Sequence, residues 1–457
     1  MAQQGRWSIL NYQFTLHPSP FTIHDLTILV FLSFDIYFCH MKLSHLAETL
    51  IGSEIVKLGG DIREKIRQGE KIYNFTVGDF DPSIFPIPKG LEDEIISAYR
   101  QHFTNYPAAE GNLDLREAIS HFINEREGLH FTTEEILVAC GGRPLIHALY
   151  YTVCDKDEKV IYAAHSWNNN HYTHFVGGEH IVIDARPENN FMPTVDEIRP
   201  FVKDATLLSL CSPQNPTGTT FTKHDLEAIC DLVLEENATR QNNEKKLYVL
   251  YDQMYWHLTY GDIQHYNPVS LRPQMKEYTI FIDAISKVFA STGVRVGWAL
   301  GPSRVISKMK AILTHTGAWG PMAEQKALAK FLYQKENIDN YLKHFKGEIE
   351  LRLRAIYEGL MELKKEGFPV DAIAPQAAIY LTIKINLLGK RSADKDLTTQ
   401  ADVTDYLLDE AKLAVVPFYA FGAAKSSPWY RLSVGTCKKE EIPEMFVQLK
   451  KALQKLS

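Results

Sequence analysis

The chain has 457 residues, of which 49 are Lys or Arg and 56 are Asp or Glu, so the formal net charge is −7 with the 17 His neutral. This mildly acidic balance argues against nucleic acid as a partner. With 45% hydrophobic and 23% charged residues, the composition is that of a globular protein and not of a disordered or membrane-embedded one. The length predicts two or three domains, and we expect no membrane partner.

The six cysteines are sparse and form no CxxC pair. Neither a disulfide framework nor a cysteine metal site is therefore predicted, which favours a reducing compartment, and we expect a cytoplasmic protein. They are Cys39, Cys140, Cys154, Cys211, Cys230 and Cys437.

The first forty residues differ in pattern from the rest. Residues 26–38 are nearly all apolar, but Asp35 interrupts them and the run is too short to span a bilayer. The run also lacks the basic leader and the small-residue cleavage site of a secretion signal. A second methionine, Met41, opens an ordinary amphipathic pattern, so we predict that residues 1–40 are a non-catalytic extension.

From residue 41 onward, short β-like runs alternate with longer segments of helical periodicity such as residues 223–235, which is typical of an α/β fold. Several runs are too apolar for strands with one exposed face, so a mostly parallel sheet flanked by helices is predicted. Such sheets bind ligands beyond the carboxyl ends of their strands. The β-like runs are residues 159–163, 180–184, 205–211, 247–251 and 279–283.

The later part of the chain predicts a second, smaller α+β domain. A long helical stretch over residues 304–364 precedes a new β-like run at 379–385, and polar insertions at 235–246 and 389–400 are predicted surface loops. The predicted organisation is the extension at 1–40, an arm with part of the small domain at 41–85, a large domain at 86–315 and a C-terminal small domain at 316–457.

Residues with reactive or charged side chains follow three of the β-like runs. Asn215 lies in SPQNPTG, Asp252 in YDQMY and Lys287 in AISK, and Arg295 follows within GVRVG, where glycines let an anion approach the backbone closely. Any one of these residues alone is most often a solvated surface group. An amide, a carboxylate, an amine and a guanidinium at neighbouring strand ends together indicate a cofactor site.

This set, together with five further segments, resembles the class I/II aminotransferases, which are fold-type I enzymes that use pyridoxal 5′-phosphate (PLP). The resemblance extends from about residue 43 to the C-terminus. The further segments, in chain order, are VGDFDP at 77–82, YPAAEGNLDLR at 106–116, GGRP at 141–144, VVPFYAFG at 415–422 and YRLSVG at 430–435. The resemblance implies that the large domain binds PLP.

The resemblance implies three catalytic residues, Lys287, Asp252 and Tyr255. Lys287 would form a Schiff base with PLP and move a proton from the substrate Cα, which requires a lowered lysine pKa. Asp252 would pair with the pyridine nitrogen, and Asn215 and Tyr255 would hydrogen-bond the phenolic oxygen. The alternatives are a structural carboxylate for Asp252 and a turn-forming Asn-Pro for Asn215.

For the phosphate, the resemblance implies Arg295, the backbone N–H groups of Gly142 and Arg143 at a predicted helix start, and Tyr106 from a partner subunit. Helix N-termini and guanidinium groups suit phosphate. The sequence departs from the family where many members carry Ser at the position of Ala284. Only Ser286 offers a hydroxyl beside the lysine, so a phosphate site with one donor fewer is expected.

Trp167 corresponds to the family aromatic that stacks on the pyridine ring, with a core tryptophan as the alternative. The surrounding segment is rich in histidine, at positions 165, 171, 174 and 180. No Cys or carboxylate completes a zinc spacing with them, so no metal site is predicted.

For the substrate, the resemblance implies that Arg431 binds the α-carboxylate as a bidentate clamp, completed by the backbone of Gly78 and the side chain of Asn215. The side-chain pocket is less specified. Its candidates are apolar and favour aromatic or aliphatic donors, but aspartate with 2-oxoglutarate as acceptor stays open. These candidates are Phe80, Ile84, Ala377, Tyr419 and Phe421.

The favoured function is a ping-pong aminotransferase that passes an amino group from an L-amino acid to a 2-oxo acid. A PLP-dependent carbon–sulfur β-lyase on the same fold is the first alternative, which release of pyruvate and ammonia without an acceptor would identify. A ligand-sensing module fused to DNA-binding elements is the second, and the acidic charge argues against it. The family's active site lies between two subunits, so a homodimer is expected.

Overall fold

The computed structural model describes residues 42–50, 52, 54–393 and 395–457, so the predicted extension at 1–40 lies outside the described residues. The chain divides into two compact units, residues 1–51 and 52–457. The first contains the short helix α1 (His45–Thr49), which the Ser44 side chain caps by accepting from the Ala47 N–H. All features below belong to the second unit.

The strands in chain order are β1 (Tyr73–Asn74), β2 (Ile136–Ala139), β3 (Lys159–Ala163), β4 (Glu179–Ile183), β5 (Ala205–Cys211), β6 (Tyr248–Asp252), β7 (Thr279–Ala284), β8 (Gly297–Leu300), β9 (Val370–Ala372), β10 (Tyr380–Ile385), β11 (Leu413–Ala414), β12 (Val416–Pro417) and β13 (Trp429–Ser433). The helices are α2 (Glu54–Arg67), α3 (Lys89–Arg100), α4 (Leu113–Glu127), α5 (Gly142–Val153), α6 (Asn169–Val176), α7 (Val195–Ile198), α8 (Lys223–Thr239), α9 (Pro268–Leu271), α10 (Ile285–Val288), α11 (Ser303–Thr316), α12 (Met322–Phe331), α13 (Lys335–Lys365), α14 (Gln400–Glu410) and α15 (Ile442–Gln454).

A seven-stranded sheet runs through residues 136–300 with the strand order β2-β8-β7-β6-β5-β3-β4. The five strands β4, β3, β5, β6 and β7 are parallel, and β8 is antiparallel to both of its neighbours. The predicted α/β fold with a mostly parallel sheet is therefore confirmed. The parallel strands end at one edge, where their polar residues meet.

Helices cover both faces of this sheet, which explains its apolar strands. In β5, Leu208 and Leu210 pack into one hydrophobic cluster with α4 and α12, whereas Leu207 packs into another with α5 and α11. Alternate residues of a strand point to opposite faces, so both faces of β5 are buried. Each buried leucine contributes about 1.5–3 kcal/mol relative to an exposed one.

A second sheet of four antiparallel strands, in the order β12-β13-β10-β9, lies within residues 370–433. Tyr380 of β10 pairs with Ser433 of β13, and Thr382 pairs with Arg431. The short strands β1 and β11 form a separate parallel pair. The fold thus contains the predicted smaller sheet, while the predicted domain boundaries at 41–85, 86–315 and 316–457 stay predictions.

Most predicted strands agree with the structure to within one residue, but one predicted loop was wrong at its start. Helix α8 continues to Thr239 and includes the first five residues of the loop predicted at 235–246. The buried Asn237 explains the extension, because its side chain donates to the Leu247 carbonyl (2.9 Å) and accepts from the Leu247 N–H (2.7 Å). These bonds tie the last helical turn to the residue before β6.

No helix among the described residues is both long enough and apolar enough to cross a bilayer.

Candidate active site

A cavity of about 600 Å³ opens at the carboxyl ends of β5, β6 and β7. Eleven of the twelve predicted site residues line it, although they come from segments spread over more than 350 positions of the sequence. They are Gly78, Gly142, Arg143, Trp167, Asn215, Asp252, Tyr255, Ser286, Lys287, Arg295 and Arg431. The two sheets and the segments beside them therefore bring together eleven of the groups that the sequence predicted.

Lys287 lies in the single helical turn α10, directly after β7. Its ammonium nitrogen Nζ donates to the Gly78 carbonyl at 2.5 Å. Burial lowers the pKa of Lys287 to about 8; the Asp79 carboxylate opposes this change, and the guanidinium groups of Arg431, Arg143 and Arg295 add to it. An amine with a pKa close to neutral exists partly in its uncharged, nucleophilic form.

Asp252 ends β6 and faces the same cavity. Burial raises the pKa of Asp252 to about 6, against the hydrogen bond that its Oδ1 accepts from the Met254 N–H at 3.1 Å. No cation of the described residues counters that rise. A buried carboxylate without a cation is suited to a ligand that carries a protonated ring nitrogen.

Arg431 of β13 is buried and already held in place. Its Nη1 donates to Asn215 Oδ1 at 3.1 Å and its Nη2 to the Thr76 carbonyl at 2.6 Å, while its Nε has no partner among the described residues. The guanidinium carbon lies between two rings, 4.8 Å from the Tyr380 centroid and 5.0 Å from that of Phe421. Burial lowers the pKa of Arg431.

Arg295 and the start of α5 form the third charged region of the cavity. Arg295 donates from Nη1 to the Thr292 carbonyl at 2.6 Å and from Nη2 to the Cys140 carbonyl at 2.9 Å. Its guanidinium lies so close to Gly141 that a Cβ there would collide with it, and Gly141 also has a φ of +96°. Free N–H groups at a helix start beside a guanidinium favour a dianionic group.

These features agree with one family of proteins. The family model described as aminotransferase class I and II matches residues 70–449. The chain belongs to this family.

The similar proteins are aminotransferases. A probable aspartate/prephenate aminotransferase of Rickettsia felis is 28% identical over 384 residues, which cover 82% of this chain and 88% of the relative. The structure of aspartate aminotransferase from Thermus thermophilus with maleate superposes with a TM-score of 0.79 at 26% identity, over 90% of this chain and 100% of that chain. Aromatic aminotransferase from Pyrococcus horikoshii gives a TM-score of 0.74 at 26% identity, over 86% of this chain and 98% of that chain.

The chain is thus a PLP-dependent aminotransferase, with an amino acid and an oxo acid as its substrates. The cavity fits the cofactor in its chemistry. It offers an amine of lowered pKa for the aldehyde, an uncompensated carboxylate for the ring nitrogen and a guanidinium beside a helix start for the phosphate. Together these three groups match the three ends of PLP.

Two predicted residues of this aminotransferase, Trp167 and Tyr106, also contact residues outside the cavity. Trp167 lines the cavity, with the Arg143 guanidinium 5.3 Å from its ring centroid, and it also packs against a cluster that contains Phe421. Tyr106 lies outside the cavity, 82% exposed, with its ring 5.4 Å from that of Trp319. Its predicted role in a partner's site stays a prediction.

The candidates for the side-chain pocket do not line this cavity. Phe80, for example, packs in a cluster with Phe85 and Phe345, at ring distances of 5.7 and 5.3 Å. Its ring centroid also lies 5.8 Å from Lys287 Nζ, so the side-chain pocket stays a prediction. The cavity instead contains Arg63, Thr76, Asp79, Ile146, Met254, Thr292 and Tyr380, which were not predicted.

Tyr380 is the most notable residue that the sequence did not reveal. Its hydroxyl lies 2.7 Å from that of Tyr255, and its ring lies under Arg431. It belongs to the β-like run at 379–385, but a tyrosine in a strand is commonly a packing residue. No local motif distinguishes it.

His165 is buried between Phe191 and Phe418, and burial lowers its pKa to about 4. Among the residues that the structure describes, no group of three or more His, Cys, Asp or Glu is placed to hold a metal ion.

Proposed function

We propose that this aminotransferase transfers the amino group of an L-amino acid to 2-oxoglutarate by a ping-pong mechanism in which Lys287 forms a Schiff base with PLP. The observation that carries the proposal is the position of the Lys287 amine. It is buried with a pKa lowered to about 8, in one cavity with the Arg431–Asn215 pair and the Asp252 carboxylate. When bound, PLP supplies an electron sink for the substrate Cα.

In this proposal, Arg431 binds the substrate, Lys287 transfers the proton and Gly78 orients Lys287. Arg431 binds the substrate α-carboxylate, and because its Nη atoms are already anchored by Asn215 and Thr76, little side-chain entropy is lost on binding. The Lys287 amine removes the proton from the substrate Cα and returns it to the cofactor carbon. Gly78 orients the amine through its carbonyl.

The remaining proposed roles concern the cofactor. Asp252 keeps a proton on the ring nitrogen, Tyr255 and Asn215 donate to the phenolic oxygen, and Trp167 covers the ring. Arg295, Ser286 and the N–H groups of Gly142 and Arg143 bind the phosphate. The burial of Asp252 supports its role, because a paired charge in a low-dielectric site interacts more strongly than one in water.

The amino donor follows less directly from the site. Two proteins with similar structures are an aspartate and an aromatic aminotransferase, and an acidic or aromatic donor is accordingly proposed. The test is the visible and near-ultraviolet spectrum of the PLP-loaded protein during addition of single amino acids and then 2-oxoglutarate. A band that disappears with certain donors and returns with the oxo acid supports transamination.

Two other outcomes would contradict the proposal. A band that persists while pyruvate and ammonia accumulate without an oxo acid would identify a β-lyase. Failure to develop any band after loading with PLP would argue against the cofactor site itself. A panel with aspartate, phenylalanine, tyrosine and leucine separates acidic, aromatic and aliphatic donors.

We also propose a homodimer in which Tyr106 completes the partner's phosphate site. Tyr106 is 82% exposed, so its side chain is accessible to a partner subunit. Other exposed apolar residues support such a surface, namely Ile96, Tyr99 and Leu113.

Mixing two inactive variants tests the shared site. Tyr106→Ala and Lys287→Ala chains, unfolded and refolded together, would form mixed dimers that each hold one complete site. Roughly a quarter of the wild-type activity is expected to return, since half of the dimers are mixed and one of their two sites is intact. No recovery from mixed dimers that form normally would contradict the role of Tyr106.

A further inference from the structure

The side chain of Tyr380 contacts two residues that line the candidate active site, Tyr255 and Arg431. It is buried, with 2% of its surface exposed, and it lines the same cavity as Lys287. Its hydroxyl is 2.7 Å from that of Tyr255, and its ring centroid is 4.8 Å from the guanidinium carbon of Arg431. Tyr380 therefore connects a cofactor-facing residue with a substrate-facing one.

The backbone fixes this position. Tyr380 of β10 is opposite Ser433 of β13, and Arg431 is opposite Thr382, so Tyr380 and Arg431 are diagonal neighbours on one face of the four-stranded sheet. The Tyr380 hydroxyl also lies against the backbone of Gly78, because a Cβ at that glycine would come within 2.8 Å of it. The tyrosine therefore has little freedom to turn away from the cavity.

The hydroxyls of Tyr255 and Tyr380 form a hydrogen bond in which either oxygen could be the donor. Burial raises the pKa of Tyr255 and Tyr380, so both keep their protons near neutral pH. Among the described residues, neither hydroxyl has another hydrogen-bond partner. A hydroxyl has one proton to donate. If Tyr255 donates its proton to the cofactor, the bond between the tyrosines must be donated by Tyr380.

We propose that Tyr380 is a positioning residue that donates to Tyr255, directs the Tyr255 proton at the phenolic oxygen of the cofactor, and supports Arg431 with its ring. This inference rests on the proposed function. A hydroxyl that accepts a hydrogen bond becomes a stronger donor. The hydroxyl of Tyr380 thus acts on the cofactor through Tyr255, whereas its ring acts on substrate binding through Arg431.

The two roles separate in two variants. Tyr380→Phe keeps the ring and removes only the hydroxyl, so the bond from Tyr255 to the phenolic oxygen weakens. The phenolic oxygen then keeps more negative charge, so the nitrogen that links Lys287 to the cofactor holds its proton more tightly. The midpoint of the pH titration of the holoenzyme's visible band is expected to rise by about 0.4–1 pH unit, with KM for the amino donor within about twofold.

Tyr380→Leu removes the ring as well. Loss of the cation–π contact with Arg431 is expected to raise KM for the amino donor by a further factor of about 2–30. The matched control is Tyr430→Phe. Tyr430 is also a buried tyrosine of the same sheet, but its hydroxyl contacts Gln400 and it does not line the cavity. This control is expected to lower thermal stability and to leave the titration midpoint unchanged.

A double variant tests the route through Tyr255. In a Tyr255→Phe background, adding Tyr380→Phe is expected to cause no further shift of the midpoint, because the intermediate hydroxyl is gone. Equal shifts in both backgrounds would overturn the proposed route. A Tyr380→Phe holoenzyme that titrates like the wild type would overturn the role of the hydroxyl.

Replacement of Tyr380 by 3-fluorotyrosine provides a measurement that deletes nothing. The fluorine makes the hydroxyl more acidic and a stronger donor, so the midpoint is expected to move down, opposite to the shift in Tyr380→Phe. Movement in the same direction would overturn the inference. If the wild-type protein showed no cofactor band or no transamination, the proposed function would fail instead, so the two failures are distinguishable.

Discussion

The two sheets contribute to the site in different ways. Residues that follow the parallel strands, such as Lys287 and Asp252, have strongly shifted pKa values and few hydrogen bonds to the protein. Arg431 from the antiparallel sheet instead has two acceptors and two flanking rings. The parallel sheet presents charges that a ligand has to neutralise, and the antiparallel sheet presents a guanidinium that is preorganised. Substitutions of residues that follow the parallel strands should therefore impair cofactor attachment and turnover, whereas substitution of Arg431 should mainly impair substrate binding.

The largest effect is expected from Lys287→Ala. Without its amine, the protein loses both the attachment of the cofactor and the proton carrier, so kcat should fall at least about 10⁴-fold and the absorbance band of the lysine-linked cofactor should vanish. Stopped-flow spectroscopy and steady-state assays measure both. Lys245→Ala, which removes a surface lysine paired with Asp155 and Glu158, is the matched control and should retain activity.

Substitution of Arg431 is expected to affect substrate binding more than cofactor loading. Each charge-assisted hydrogen bond contributes about 1.5–3 kcal/mol, so Arg431→Ala should lower kcat/KM about 10–150-fold per bond lost. Arg431→Lys keeps the charge but not the planar fork, and should recover only part of the loss. Steady-state kinetics with amino acids and with their amides checks this. A fall in kcat as large as that of Lys287→Ala would contradict the division between the two sheets.

The pH dependence of PLP uptake by the apoprotein sharpens the same comparison. Because the pKa of Lys287 is lowered to about 8, the fraction of Lys287 in the uncharged form increases about tenfold per pH unit below pH 8 and levels off above pH 8. The uptake rate should follow that curve when measured by the appearance of the visible band. A rate that continued to climb toward pH 10 would mean that Lys287 has the pKa of an exposed lysine.

The smallest effect is expected away from the site, at Asn237. Asn237→Ala removes the two hydrogen bonds to Leu247 and leaves buried backbone groups without partners, which should cost about 1–3 kcal/mol of unfolding free energy. Denaturant unfolding measures it, with turnover of the folded protein unchanged. Glu235→Ala, a surface position on the same helix, is the control. An equal loss in the control would argue against the role of Asn237.

The parallel-sheet half of the site was predictable because its residues directly follow apolar runs. Strand ends fix where Asn215, Asp252 and Lys287 lie, so a local pattern is enough to locate them. The fold class followed from the same runs. The predicted strands at 159–163 and 205–211 match β3 and β5.

In the other half, Arg431 was predicted only through the family resemblance and Tyr380 was not predicted, because contacts between distant segments place both and a single sequence does not show such contacts. Tyr380 reaches Tyr255 across 125 positions, and Arg431 reaches Thr76 across 355. The apolar candidates for the side-chain pocket stay predictions, although two of them contact residues that line the cavity: the Phe80 ring centroid lies 5.8 Å from Lys287 Nζ, and that of Phe421 lies 5.0 Å from the Arg431 guanidinium carbon. Phe80 packs with Phe85 and Phe345 in the core, and its ring also faces the Lys287 amine.

The reversed direction of β8 has a consequence for which ligands the site accepts. Ala284 at the end of β7 is opposite Gly297 at the start of β8, and the Ile285 N–H donates to the Val296 carbonyl at 3.2 Å. The chain therefore leaves and re-enters the sheet at one edge, whereas a parallel return would need a crossover of a dozen or more residues. Lys287 and Arg295 lie on this one short hairpin. If Lys287 binds the aldehyde and Arg295 the phosphate, as proposed, this hairpin sets the distance between the two groups, so cofactor analogues longer or shorter by one bond should be rejected.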